Sequence, residues 1–143
     1  PDALLPEALQ QANPLGLDRS DPAGKDDVTT VNQLHLPVDR PAIVHLSSKD
    51  VIHSFALQEM RVKQDAVPGL SIPLWFVPTV TTEEMRRRKG QPEWNYEISC
   101  AQLCGLGHYR MRGFLTVETP EAYDKWIADQ VAQLSPDGGD FWQ

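Results

Sequence analysis

A short segment of this chain carries four side chains that can bind a metal ion. Cys100, Cys104, His108 and Met111 follow one another with the spacing C-x3-C-x3-H-x2-M, in a glycine-containing loop between two strand-like segments. His53, in an earlier strand-like segment, adds a second imidazole. The chain therefore offers two thiolates, two imidazoles and one thioether, all of which are transition-metal ligands.

The softness of these ligands indicates which metal they would bind. Two thiolates and two imidazoles suit tetrahedral Zn²⁺, but Zn²⁺ has little use for the thioether of Met111. Sulfur ligands select copper, and a mononuclear blue-copper site takes two histidines, one cysteine and a distant methionine. One cysteine is then left over. The most economical arrangement is two copper ions that share both thiolates, with one histidine each. Met111 and a backbone carbonyl of the Cys100–Cys104 loop would be the two weak ligands.

Simpler interpretations of these residues are also open. A lone C-x3-C pair is typical of a disulfide or of two buried thiols, although two further ligands at fixed offsets argue against this. His35 and His45 lie in strand-like segments and are expected to be core residues with satisfied hydrogen bonds. Met60 and Met85 have no partner at ligand spacing and are expected to serve in packing.

The composition is that of one globular domain. The chain has 143 residues, of which 41% are hydrophobic and 23% charged, close to the average for globular proteins. The longest unbroken apolar run is Leu74–Val77, whereas a membrane-spanning helix needs about 20 residues. The formal net charge of −7 argues against nucleic acid as a partner and is compatible with a basic protein surface.

Turn residues and short β-type segments divide the chain. Residues 1–27 are expected to form a Pro/Asp/Gly-rich extension, residues 28–134 one domain, and residues 135–143 a linker or tail. Short runs of β-branched and aromatic residues predict an all-β sandwich or barrel, and Pro73 inside one run indicates an edge strand. The predicted strands are Val28–Leu36, Ala42–Ser47, Val51–Gln58, Leu70–Val77, Trp94–Ser99 and Tyr109–Glu118.

Two helices are expected to accompany these strands. The segment from Thr81 to Gly90 has an N-cap hydroxyl, acidic residues first, basic residues last and a closing glycine, which suits the helix dipole. A second helix is expected to follow Thr119 and Pro120 over Glu121–Leu134.

The chain resembles cytochrome c oxidase subunit II, specifically the extramembrane domain that carries the dinuclear copper centre called CuA. The resemblance runs from about Asn32 to Trp126. It rests on Asp50–Phe55 (DVIHSF), Arg61–Gly69 (RVKQDAVPG) and the stretch from Cys100 to Phe114. The family fold is a cupredoxin-like Greek-key β-barrel, which agrees with the strand pattern, and the two predicted helices would be an inserted and a C-terminal helix.

The resemblance also implies a role for each candidate ligand. Cys100 and Cys104 would bridge two copper ions of a mixed-valence pair. His53 and Met111 would complete one ion, and His108 and the backbone carbonyl of Gln102 the other.

The implied function is electron transfer. The domain would accept single electrons from cytochrome c or a similar carrier and pass them to a haem in oxidase subunit I, where O₂ is reduced to water. The parent complex is an oxidoreductase, and this domain would lie on the periplasmic, outer face of the plasma membrane. Its only link to the membrane would be the two helices of the full-length subunit, which the sequence lacks.

Several features depart from the family pattern. Gln102 stands where many members have a glutamate that helps to bind Mg²⁺, and a neutral amide is a poorer ligand for a hard cation, so Mg²⁺ is not expected. Residues 1–50 contain no Trp, Tyr or Phe, although the family usually has a Trp-rich segment there that is linked to electron entry. Trp75, Trp94 or Tyr109 could replace it. The stretch Thr81–Glu93 is interpreted as an insertion.

Three other functions are compatible with the same set of side chains. A copper-delivery protein or other single-metal cupredoxin would hold one ion, a structural Zn²⁺ domain would not depend on Met111, and a metal-free β module would use Cys100 only for packing. Because a periplasmic compartment favours disulfides, the metal-free cysteine pair is expected to oxidise in air.

Overall fold

The computed structural model describes residues 21–24 and 27–132. Residues Thr30–Asp124 form one compact unit, and the described residues 21–24, 27–29 and 125–132 fall outside it. The predicted extension 1–27 therefore lies mostly outside the described residues and the predicted tail 135–143 lies wholly outside them, so the proposed division of the chain stays a prediction.

Seven short strands form two sheets within the described residues. A five-stranded sheet has the order β1-β7-β6-β3-β4, with β1 parallel to β7 and all other neighbours antiparallel. A two-stranded antiparallel sheet pairs β2 with β5. The strands are β1 Gln33–Pro37, β2 Ala42–Leu46, β3 His53–Leu57, β4 Val62–Ala66, β5 Ile72–Phe76, β6 Tyr96–Cys100 and β7 Arg112–Glu118.

The core lies between the two sheets. It is built from side chains on one face of the larger sheet together with Phe76 of β5, so the sheets form a β half-barrel as the strand pattern predicts. Alternation along each strand selects these residues, because successive side chains point to opposite faces. The buried core cluster is Leu57, Phe76, Tyr96, Leu115 and Val117.

Three strand predictions need correction. The last strand begins at Arg112 rather than Tyr109, because His108–Arg110 form a 3-10 turn. The first strand begins at Gln33 rather than Val28, because Asn32 has a left-handed φ of 57° that interrupts extended backbone. Strand β4 was not predicted, since Val62–Ala66 holds only two apolar residues. It pairs with β3 along its full length at the sheet edge. Pro73 lies in the two-stranded sheet, where each strand has one free edge, as expected.

The inserted helix α1 spans Thr82–Lys89 and has the predicted caps. The Thr81 hydroxyl accepts a hydrogen bond from the Glu84 amide, and Gly90 closes the helix with a left-handed φ of 64°. Thr82 attaches the helix to the barrel, because its hydroxyl accepts a 2.8 Å hydrogen bond from the backbone amide of Val117 in β7.

The C-terminal helix α2 spans Pro120–Ala132. The Thr119 hydroxyl accepts a hydrogen bond from the Ala122 amide at 3.3 Å, and Pro120 occupies the first helical position, where its missing amide proton costs nothing. None of the helices in the described ranges is long and apolar enough to cross a membrane.

Candidate metal centre

The predicted ligands lie near the ends of three neighbouring strands of the larger sheet, β3, β6 and β7. His53 is the first residue of β3, Cys100 is the last of β6, and Arg112 is the first of β7. Because β3 and β6 pair antiparallel with Phe55 opposite Cys100, the start of β3 lies beside the end of β6. The loop between β6 and β7 thus lies next to His53.

Backbone hydrogen bonds close this loop at its base. The Cys100 amide donates to the carbonyl of Met111 at 3.2 Å, and the Ala101 amide donates to the carbonyl of Ser54 at 3.1 Å. The first bond joins the two ends of the loop, and the second joins the loop to β3. Backbone hydrogen bonds therefore fix both ends of the β6–β7 loop to the sheet.

Within the loop, a tight turn holds His108 and Met111 at their spacing. The Met111 amide donates to the carbonyl of His108 at 3.2 Å, and the His108 amide donates to the carbonyl of Gly105 at 3.1 Å. Gly105 has a φ of 126°, a value that residues with a Cβ rarely adopt. The loop thus requires a glycine at position 105, as the sequence predicts.

The sulfur and nitrogen atoms of the five predicted ligands converge. The Sγ atoms of Cys100 and Cys104 lie 3.7 Å apart, and both cysteines are free thiols, since a disulfide would need about 2.05 Å. The Nδ1 atom of His53 lies 3.9 Å from Cys100 Sγ. Around Cys104 Sγ, His108 Nδ1 lies at 3.5 Å and Met111 Sδ at 3.8 Å.

The sixth predicted ligand is also adjacent. The backbone carbonyl oxygen of Gln102 lies 3.2 Å from Cys100 Sγ, whose thiol donates to it. The ligand atoms of His53, Cys100 and Cys104 all lie within 4.8 Å of one another, close enough for one metal ion to reach all three. The donor set of two thiols, two imidazoles and a thioether fits a soft metal such as copper.

The two cysteines differ in their acidity. Burial raises the pKa of Cys100, but hydrogen bonds with the backbone of Gln102 and Ser54 and with the rings of His53 and His108 lower it to about 6. Burial and the neighbouring Cys100 raise the pKa of Cys104. The pair therefore offers one thiolate readily, and a metal cation would have to displace the second proton.

Asp50 contacts the ring of His53 from the side away from the sulfurs. Its Oδ1 lies 2.7 Å from His53 Nε2. This hydrogen bond lowers the pKa of the Asp50 carboxyl and raises the pKa of His53. The sequence pattern included Asp50 in the DVIHSF segment without assigning it a role. A carboxylate three residues before a ligand histidine is the signal that could have identified it.

The remaining histidines and methionines lie elsewhere. Half-buried His35 lies on β1, with its Nδ1 3.2 Å from a carboxylate oxygen of Glu118. His45 is exposed on β2 opposite Pro73, so its expected place in the core is wrong; the register turns it to the solvent face. Met60 and Met85 pack against the core as expected.

The outer surface of the ligand loop is apolar. The side chains of Leu103, Leu106 and Tyr109 are 84%, 99% and 84% exposed. The loop from Cys100 to Met111 contains no acidic residue, and Arg110 is its one formally charged side chain. The loop thus carries no negatively charged side chain, although the chain as a whole has a net charge of −7.

Comparison with known proteins identifies what this arrangement is similar to. Residues 18–117 match the family model described as cytochrome c oxidase subunit II, periplasmic domain. An alternative cytochrome c oxidase subunit 2 of Bradyrhizobium diazoefficiens is 40% identical over 123 residues, which cover 85% of this chain and 40% of that protein. The chain thus spans less than half the length of this curated relative.

Two solved structures have a similar fold. The periplasmic domain of subunit II of cytochrome oxidase of Bradyrhizobium japonicum superposes with a TM-score of 0.61 at 24% identity, covering 83% of this chain and 76% of that one. A mixed disulfide intermediate between a thioredoxin-like protein and subunit II of cytochrome c oxidase superposes with a TM-score of 0.56 at 25% identity, covering 72% and 64%. These neighbours confirm the predicted cupredoxin-like fold.

Proposed function

Since the chain belongs to the family of periplasmic domains of cytochrome c oxidase subunit II, we propose that it is the electron-accepting domain of a terminal oxidase. It would bind two copper ions between β3 and the β6–β7 loop. It would receive electrons from cytochrome c or a similar carrier, and deliver them toward a haem of the membrane subunit that reduces O₂ to water.

One observation carries this proposal: five soft or borderline ligand atoms converge at one sheet edge. Both thiols lie between the two imidazoles, with separations of 3.5 Å to 3.9 Å from sulfur to the nearest ring nitrogen. Such a set exceeds what one blue-copper ion or one Zn²⁺ ion uses.

We assign the ligands as the family resemblance implies. Cys100 and Cys104 would bridge the ions, His53 and Met111 would complete one, and His108 with the Gln102 carbonyl the other. The close approach of the Gln102 carbonyl to Cys100 Sγ supports its inclusion. The neutral amide side chain of Gln102 is not proposed as a Mg²⁺ ligand.

When bound, the copper pair would supply one-electron redox chemistry. The contribution of the chain is to hold the donor atoms still while the charge changes. His53 and Cys100 lie on paired strands, and the amide of Met111 is tied to the carbonyl of His108. Rigid anchoring of this kind keeps reorganisation small.

The same anchoring favours residence of the metal over its delivery. Donor atoms come from β3 and from a loop hydrogen-bonded to the sheet at both ends, so release of an ion would require several contacts to open. A copper-delivery protein would instead benefit from a flexible site made of one segment.

A second partner is suggested by one specific observation. The solved relative captured as a mixed disulfide with a thioredoxin-like protein is a subunit II domain, and here the two thiols lie 3.7 Å apart. We propose that a Cys100–Cys104 disulfide in the metal-free chain is reduced to two thiols by a thioredoxin-like dithiol. That dithiol would be oxidised to a disulfide through a mixed-disulfide intermediate.

Electron paramagnetic resonance of the copper-loaded chain tests the main proposal, with copper per chain measured in parallel. Hyperfine structure from one electron shared over two equivalent copper nuclei, at two coppers per chain, is the expected result. Splitting from a single nucleus at one copper per chain would indicate a single-metal cupredoxin or delivery protein. A silent spectrum with bound zinc would indicate a structural domain.

A further inference from the structure

We propose that Asp50 is a positioning residue for the metal centre: it holds the His53 ring in the tautomer and orientation in which Nδ1 faces the two sulfurs. This inference rests on the proposed function, because it concerns how His53 would act as a ligand. Nothing in the family match assigns this role to Asp50.

The geometry of the imidazole supports this role. Asp50 Oδ1 lies 2.7 Å from His53 Nε2, while His53 Nδ1 lies 3.9 Å from Cys100 Sγ. A neutral imidazole carries one proton, on either nitrogen. If Nε2–H donates to the carboxylate, the proton is held on that side and the Nδ1 lone pair is free for a metal.

Asp50 is itself held in place by a turn. Its amide donates to the hydroxyl of Ser48 at 3.4 Å, and its Oδ1 accepts from the same hydroxyl at 3.2 Å. Ser48 also contacts the carbonyl of Val51 and forms a bridge with Pro68. The turn before β3 is thereby joined to the segment that follows β4.

The two imidazoles of the site differ in this respect. Asp50 is 49% exposed at its side chain and His53 20%, so the carboxylate stays hydrated while it contacts the ring. Within residues 21–24 and 27–132, His108 has no carboxylate partner. The negative charge therefore acts on one imidazole, and its removal should affect the site through His53.

The experiment compares the variants Asp50→Ala and Asp50→Asn with Asp124→Asn. Asp124 is an exposed carboxylate of α2, so its variant is a control for the loss of one negative charge. Asp50→Asn keeps an oxygen that can accept from Nε2–H, and Asp50→Ala keeps none. Circular dichroism establishes that each variant folds.

Two readouts are used for each variant. The first is the ¹⁵N chemical shift of the His53 ring nitrogens in the reduced, metal-free chain, at a pH at which the ring is neutral. The second is the affinity for Cu(I), measured by competition with a chelator, together with the reduction potential of the copper-loaded chain.

In the wild type and in Asp124→Asn, we expect the proton of His53 on Nε2. In Asp50→Ala we expect a mixture of tautomers, an affinity lower by about 10- to 100-fold, and a higher potential, because a negative charge that stabilises the oxidised site is gone. Asp50→Asn should restore the tautomer and part of the affinity but keep the raised potential.

The inference and the proposed function fail in different ways. If the wild type binds copper and Asp50→Ala matches it in tautomer, affinity and potential, the role of Asp50 is wrong and the function stands. If the wild type takes up no copper, the proposed function is wrong, and with it the role of Asp50 in metal binding.

Discussion

At the residue scale, the state of the two thiols would determine whether the proposed copper site can bind metal. Their Sγ atoms lie 3.7 Å apart, so a small side-chain movement would allow a disulfide. Cys100, with a pKa of about 6, supplies the thiolate that such exchange needs. Metal binding and oxidation would therefore compete for the same cysteine pair.

We predict that the metal-free chain loses copper uptake after exposure to air and regains it when a dithiol reductant is added. The measurement is bound copper per chain before and after reduction, with free thiols counted in parallel. A reduced thioredoxin-like protein should restore uptake in the same way. Full uptake by the air-exposed chain without any reductant would contradict the prediction.

Met111 distinguishes copper from zinc at the same scale. Its thioether lies 3.8 Å from Cys104 Sγ and is 43% exposed. We predict that Met111→Ala keeps two coppers per chain but shifts the reduction potential and the visible and paramagnetic spectra, because a weak soft ligand is lost. Met60→Ala, which changes a partly buried residue packed against the core, is the control and should leave the spectra unchanged. An unaltered potential and spectrum in Met111→Ala would show that the thioether is not a ligand of the bound copper.

At the element scale, the start of β7 depends on a close backbone contact. A Cβ added at Gly113 would lie 3.0 Å from the carbonyl oxygen of Asn32. That same oxygen accepts a 2.8 Å hydrogen bond from the Phe114 amide. The contact joins the residue before β1 to β7, next to the loop that carries Met111.

We predict that Gly113→Ala lowers the free energy of unfolding by about 1–3 kcal/mol, because backbone must move to admit the methyl group. Urea denaturation of the reduced, metal-free chain measures it. Gly107→Ala is the matched control, since nothing lies within 4 Å of its added Cβ and its φ is −83°. Equal stability of the two variants would show that the Asn32 contact does not constrain the strand.

Tyr96 of β6 links the core to the segment before α1. Its ring is 4% exposed, and its hydroxyl donates a 2.9 Å hydrogen bond to the carbonyl of Val80. Burial raises the pKa of Tyr96, so the folded state favours the neutral phenol. Its contribution is complete below the unfolded pKa of about 10 and is lost as the pH rises through the higher folded value.

We predict that Tyr96→Phe lowers stability at neutral pH by about 1 kcal/mol, since the Val80 carbonyl loses its donor. Its denaturation midpoint should also fall less steeply above pH about 10 than that of the wild type. Tyr109→Phe, which changes an exposed ring, is the control and should match the wild type. A wild-type alkaline profile in Tyr96→Phe would contradict the assignment to this side chain.

At the scale of the whole molecule, net charge and local surface favour different modes of docking. The charge of −7 would steer a basic electron carrier toward the chain. The exposed surface at the ligand loop is instead formed by Leu103, Leu106 and Tyr109. Steering of a carrier and its final contact would therefore depend on different parts of the surface.

We predict that Leu106→Ser lowers the second-order rate of electron uptake from cytochrome c by about tenfold, the loss expected for about 1.4 kcal/mol of apolar burial. The spectrum of the copper-loaded site should stay the same. Ile43→Ser is the control, since Ile43 is 69% exposed on the small sheet. Stopped-flow mixing at several salt concentrations separates this effect from charge steering, which weakens as salt rises. Equal rates for both variants would exclude the loop as the docking surface.

Much of the fold and the family were predictable because their signals are short-range. The helix α1 follows from its capping residues, and the β-rich class follows from short β-branched runs bounded by turns. The C-x3-C-x3-H-x2-M spacing is a local property of one loop, and its donor chemistry does not depend on distant residues. The segments DVIHSF and RVKQDAVPG added the family resemblance.

The remaining features of the fold and of the site depend on which strands pair with each other. Strand β4 is polar and exists because β3 offers a full row of backbone partners. The exposure of His45 follows from its register against Pro73, which a single strand does not encode. The contact between His53 and Cys100 requires β3 and β6 to be neighbours, and the contact of Asp50 requires the turn before β3. The residue types in the sequence determined what the site could bind. Only the tertiary structure brought His53 beside the cysteine loop and Asp50 against its ring, because both contacts depend on which strands pair and in which register.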